Sequence, residues 1–166
     1  MAQAWSRIEK FASRSMGFSL SEGATEGEMC KFEKIIKAPL PPDLRASYLL
    51  HDGQGMFNSG VGSGILGAGV LLPLHHILFE IGVSGGTIAA QPLDQPRIVA
   101  ISAKGHRGIA LHYAFPPPVR VKEGTVDEAA EEQEEEVEGV GCVYLGTGHH
   151  LRKVANSWLE YLGTLR

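Results

Sequence analysis

The sequence predicts an α+β fold: N-terminal helices, then a central antiparallel sheet, then a C-terminal helix packed on it. Three observations predict it. Apolar residues recur at helical spacing through the first third of the chain, the runs 97–103 and 108–115 flank a short turn as a strand pair would, and a broad apolar stripe returns after residue 150. No internal repeat interrupts this order. A length of 166 residues with 43% hydrophobic content suffices for a single domain, 1–166, built on one core.

The first helix spans 3–15, where Trp5, Ile8, Phe11 and Ala12 form one face opposite Arg7, Glu9, Lys10 and Arg14; Gly17 ends it. Thr25, followed three residues later by Glu28, makes a capping box. Met29, Phe32 and Ile36 then mark the buried stripe of a second helix, which Pro39 stops. The third helix lies within LPPDLRASYLLHDG, residues 40–53. Pro41 and Pro42 suit its first turn, Asp43 sets a carboxylate near the positive end of its dipole, and Gly53 is placed to close it in a left-handed conformation. Its expected face joins Leu44, Tyr48 and His51, with Leu49 and Leu50 beside them and Arg45 and Ser47 turned elsewhere.

From 53 to 69 the composition changes, with seven glycines in seventeen residues, as in a mobile or tightly turning loop. Residues 65–72 read as a short strand, and Pro73 starts a helical turn through Leu74, Ile77 and Leu78. The clearest hairpin follows, 97–103 and 108–115 joined by Lys104, Gly105, His106 and Arg107. Pro116, Pro117 and Pro118 break it, 119–122 suits an edge strand, and a flexible acidic insertion occupies 124–138. A returning strand is expected over 139–145. Leu151, Val154, Ala155, Trp158, Tyr161, Leu162 and Leu165 then give the closing helix a broad apolar face.

Composition narrows the function classes. No run of eighteen apolar residues is present and charges interleave the first eleven positions, so the expectation is a soluble, cytoplasmic protein without a membrane span or secretory leader. Cys30 and Cys142 stand far apart, which excludes a cysteine framework and predicts two reduced core thiols. Eight acids crowd into 127–138, and the rest of the chain carries eleven acids against fifteen scattered bases. That distribution argues against nucleic acid as a partner. The acidic run itself suits a solvated loop, its rival role being a surface that meets a basic partner.

Several motifs have spacings known from catalytic or binding sites. Gly62, Gly64 and Gly67 match GxGxxG, but that fingerprint should follow a strand and open a helix, so no cofactor is expected. Gly82, Ser84 and Gly86 spell GxSxG, with Asp94 and His106 following in the chain order of an α/β-hydrolase. The alternative to a binding role is therefore a small serine hydrolase acting through Ser84. The nucleophile elbow needs a strand before Ser84, and Pro92 and Pro96 crowd the acid; a surface loop is the simpler expectation. The pairs His75–His76 and His149–His150 would point their imidazoles about 100° apart on a helix, which disfavours a metal site. His51 beside Asp52 reads as a helix-end histidine rather than a catalytic dyad.

With these residues in view, the chain resembles a SUKH domain, the family of fungal cell-wall assembly regulators that also contains many bacterial toxin-immunity proteins. The resemblance rests on Trp5, Ile8 and Glu9 in the first helix, Thr25, Glu28 and Glu33 in the second, and above all LPPDLRASYLLHDGQG at 40–55. Weaker matches continue through LLPLHHI at 71–77 and ANSWLEYL at 155–162. It implies a non-enzymatic protein-interaction module, either a regulatory scaffold or adaptor or an immunity protein that binds and neutralises a toxin. Trp5, Leu40, Pro41, Tyr48 and Gly53 are implied to be fold determinants. The expected contact surface is the segment after the third helix, with Asp52, Gln54, Met56, Phe57 and Asn58, because two large apolar side chains stand there among polar neighbours.

Overall fold

The computed structural model describes residues 1–14, 19–55, 69–83, 95–103, 109–118, 138–147 and 150–165. Its architecture is α+β, with helices at both ends and a four-stranded antiparallel sheet between them. Helix α1 (Ala2–Arg14) buries Trp5, Ile8 and Ala12 as its periodicity predicts, while Phe11 stays 52% exposed. Helix α2 (Glu26–Ile36) starts on the predicted capping box: Thr25 N donates to Glu28 Oε2 at 2.8 Å, and Glu28 N donates to Thr25 Oγ1 at 3.3 Å. Met29, Phe32 and Ile36 are buried as expected. The helix ends at Lys37, whose φ of 56° is left-handed, so Pro39 follows the stop rather than making it.

Helix α3 (Pro42–Leu50) forms from the proline start. Two details differ from the sequence reading. Ser47 is buried because its Oγ accepts a 2.6 Å hydrogen bond from Trp5 Nε1, whereas Leu49 and Leu50 face solvent. The helix is left through His51 in an extended conformation, and Gly53, although left-handed at φ 81°, shapes the next turn instead. Arg45 joins α3 to α2 by ion pairs with Glu26 and, at 3.7 Å, with Glu33. Tyr48 crosses the core and donates its hydroxyl to Leu72 O at 3.0 Å.

Two short strands that the sequence did not announce, β1 (Ser19–Leu20) and β2 (Gln54–Gly55), pair antiparallel. Of the expected strand 65–72, residues 65–68 lie outside the described residues, and Leu71 makes an isolated bridge to Ser102. The expected turn after Pro73 is a longer helix, α4 (Leu74–Val83).

The predicted hairpin is present. β3 (Arg97–Ala100) pairs with β4 (Ala110–Phe115), setting Arg97 opposite Phe115 and Ala100 opposite His112; 104–107 lie outside the described residues. β4 is nearly all buried and central; Phe115 packs on Phe32 of α2 with ring centroids 5.9 Å apart. β5 (Val143–Thr147) starts later than expected, because Gly139 and Gly141 take left-handed conformations in the turn before it. The edge-strand segment 119–122 and most of the acidic run, 124–137, lie outside the described residues; Glu138 is exposed.

The main correction concerns the last segment. Residues 150–155 are not helix but strand β6 (His150–Ala155), paired with β5 from Thr147–His150 to Val143–Ala155. Val154 is an extra residue between Lys153, opposite Tyr144, and Ala155, opposite Val143. This bulge breaks the alternation that marks a strand and leaves Leu151, Val154, Ala155 and Trp158 at a helix-like spacing. The closing helix α5 is therefore short (Trp158–Thr164), capped by Ser157, whose side chain accepts from Glu160 N at 3.1 Å. One core cluster takes in Trp5, Phe32, Tyr48, Ile77, Tyr113 and Trp158, so helices from both ends close on the sheet. Cys142 is buried as expected, but Cys30 is an exposed thiol on α2.

Candidate functional site

The candidate site is built where the chain leaves α3. Ala24 N donates to Tyr48 O at 2.9 Å, Asp52 N to Glu22 O at 2.9 Å, and Ser21 N to Gly53 O at 3.3 Å, which lays 21–24 along the end of that helix. Gly53 then turns the chain, and Gln54 N donates to Leu71 O at 2.9 Å. Asp52 Oδ1 accepts from Leu74 N at 2.8 Å, so this carboxylate caps the start of α4. The starts of α2 and α4 and the exit of α3 thus border one cleft of about 450 Å³. Ser21, Glu22, Thr25, Glu28, Asp52, Gln54, His75 and His76 supply its polar lining.

The charges in this lining are unbalanced. Glu22, Glu28 and Asp52 contribute carboxylates, and neither lysine nor arginine lines the cleft. Glu28 is held well inside the capping box, and its hydrogen bonds from Thr25 backbone and hydroxyl lower its pKa. Asp52 is shifted the other way. Burial raises its pKa, and the bond from Leu74 and the nearby histidines only partly offset that. His75 and His76, expected to diverge, have ring centroids 4.5 Å apart at an interplanar angle of 63°. Gln54 is 4% exposed, and its Oε1 has no hydrogen-bond partner among the described residues.

The raised pKa of Asp52 has a definite sign. Ionising this group costs more in the folded than in the unfolded chain. Its contribution to stability therefore falls as pH rises from the ordinary value of 3.8 through the raised folded value, and stays unfavourable above it. Asparagine caps a helix about as well as aspartate. Asp52→Asn is thus expected to change stability at pH 7 by no more than about 0.5 kcal/mol, since screening limits the penalty at a half-buried site. Urea midpoints measured from pH 3 to 7 should show the variant gaining on the parent as pH rises; a difference that shrinks with pH would make the carboxylate a net stabiliser.

Of the contact residues named from sequence, the structure brings Asp52 and Gln54 into the cleft. Gln54 is buried there, so it is not the exposed contact that the sequence suggested. Met56, Phe57 and Asn58 lie outside the described residues. Glu22, Glu28, His75 and His76 were not grouped with them from sequence, because only the β1–β2 pairing and the two helix starts bring them together. The HDG of 51–53 and the paired histidines after Pro73 were the available signal.

His51 turns from Asp52: its Nε2 lies 2.8 Å from Glu9 Oε1, its Nδ1 3.1 Å from Ser21 O, and its ring packs on Trp5 at 4.9 Å. Gly82 and Val83 belong to helix α4, whereas a nucleophile elbow needs a strand there; Ser84, Gly86, Asp94 and His106 lie outside the described residues, as do Gly62, Gly64, Gly67 and His149. His150 opens β6 and is exposed. Among the described residues no group of three or more His, Cys, Asp and Glu side chains is arranged to hold a metal ion, and no helix is long and apolar enough to cross a membrane.

No protein-family model matches the chain, and no curated protein matches it.

Proposed function

We propose that the protein is a non-enzymatic interaction module whose work is to dock on another protein. The observation that carries this reading is the division of labour within 40–55. Leu40, Leu44, Ser47 and Tyr48 are buried, and Asp43 bonds across the fold, whereas the segment that follows opens onto a cleft that carries carboxylates and imidazoles in its lining. A motif whose front half builds the fold and whose back half lines a cleft suits a scaffold that presents a binding surface. The likeness of this stretch to the SUKH pattern points the same way. Both roles found in that family, regulatory scaffold or adaptor and toxin-neutralising immunity protein, rest on such docking.

The test is isolation of the partner followed by reconstitution. Co-purification from the native host with mass spectrometry should name one protein, and the purified pair should then form a defined complex on size exclusion. A coding region beside a large secreted toxin would favour immunity over scaffold. The hydrolase alternative makes the opposite prediction: labelling of the folded protein at Ser84 by a fluorophosphonate probe would overturn the binding reading.

A further inference from the structure

We propose that the cleft between the starts of α2 and α4 receives the guanidinium group of an arginine side chain from the protein partner. This rests on the interaction reading above and adds the chemistry of what is bound. The lining carries more carboxylates than bases: Glu22, Glu28 and Asp52 face only the two imidazoles of His75 and His76, with neither lysine nor arginine, and Gln54 holds a buried Oε1 with no partner among the described residues. A buried orphan acceptor is costly to leave unmade. Its natural complement is an N–H donor, and the carboxylates that share the lining favour a cationic one.

An anion fits less well, although two helix starts border the cleft. At each helix start one of the amides that would greet a phosphate is already engaged, Glu28 N by Thr25 Oγ1 and Leu74 N by Asp52 Oδ1, and the carboxylates that share the lining would repel an anion. A guanidinium is preferred to an ammonium because its planar fork spreads five donors over separated acceptors and tolerates partial burial, and Asp52 is partly buried. The close pair of imidazoles at His75 and His76 gives a flat group rings to lie against. A volume of about 450 Å³ is within the usual range for a small ligand group.

The probe is N-acetyl-argininamide, titrated into the full chain and followed by amide and side-chain NMR shifts. Binding is expected with a Kd of ~1 mM, the scale for a ligand of this size. Shifts should centre on Gln54, His75 and His76. N-acetyl-citrullinamide, of the same shape but neutral, should bind at least about tenfold more weakly, as should the arginine probe on Asp52→Asn, because each removes one side of a charge-assisted pair. Asp52→Asn keeps the α4 cap, so its folded spectrum separates lost binding from lost structure. Free arginine should bind more weakly than the blocked probe, since its α-carboxylate meets Glu22 and Glu28; equal or tighter binding would assign the cleft to a small molecule.

Equal binding of the citrulline probe, an undiminished Asp52→Asn, or lysine amide binding as well as the arginine probe would each overturn the inference. The two readings fail separately. If an identified protein partner binds parent and Asp52→Asn alike, the docking role stands and the arginine cleft falls. If the arginine probe binds with charge selectivity but no protein partner exists, the cleft chemistry stands and the docking role falls.

Discussion

Asp43→Ala is expected to lose about 3 to 4 kcal/mol of folding stability, out of proportion to a partly exposed aspartate on a helix first turn. Asp43 Oδ2 accepts from Trp158 N at 2.9 Å and Leu159 N at 3.2 Å, so it caps α5 from 115 residues away. Its Oδ1 accepts from Leu44 N at 2.7 Å and from the Tyr113 hydroxyl at 3.3 Å. One carboxylate therefore ties α3, β4 and α5 together. Alanine would leave the first amides of α5 and a phenol on a fully buried side chain without this acceptor, adding a lost cap to a buried donor left unsatisfied. Asp43→Asn, which keeps an acceptor but loses the charge, should lose about half as much. Denaturant unfolding measures both; a loss below about 1 kcal/mol for alanine would show that these bonds are replaced by water at little cost.

Gly53→Ala is expected to cost about 2 to 4 kcal/mol. The position has φ 81°, and an added Cβ would lie 2.6 Å from Pro73 N and 2.9 Å from Leu72 C and Pro73 Cα. All three are backbone atoms, which cannot swing aside as a side-chain tip can. The clash comes from the close approach of the turn after α3 to the start of α4, and the left-handed backbone adds its own strain. Gly163 is the internal control: it sits inside α5 with nothing within 4 Å of an added Cβ, so Gly163→Ala should be neutral or stabilising by up to about 1 kcal/mol. Opposite signs for the two substitutions in one thermal-melt experiment would separate backbone strain from helix propensity.

How much of this was legible in the sequence depended on the range of the contact. The capping box of Thr25 and Glu28, the stripe of Met29, Phe32 and Ile36, and the hairpin pairing β3 with β4 are local patterns, and they appear as expected. Ser47 looked like a surface residue because nothing near it in sequence discloses Trp5, its partner 42 residues away. Asp43 was recognised as a first-turn acid, but the helix it caps is not its own. The boundary near 157 was readable and missed: Ser157 and Glu160 repeat the same capping signature as Thr25 and Glu28, and the longer apolar stripe drew attention past it. In the cleft, Asp52 and Gln54 were named from sequence, while the acids and histidines opposite them were not. Their grouping depends on a strand pair two residues long on each side, too short to leave a periodic trace.

The capping of α5 by Asp43 also orders events in time. During synthesis Asp43 leaves the ribosome long before Trp158, so the partners open to α3 at that point are its nearer neighbours, Trp5 through Ser47 and Glu26 through Arg45. The carboxylate waits with its long-range acceptor positions open to water, and the closing of a loop of this span is the kind of step that slows folding. The motif that starts the third helix is thus also the latch that the final helix closes.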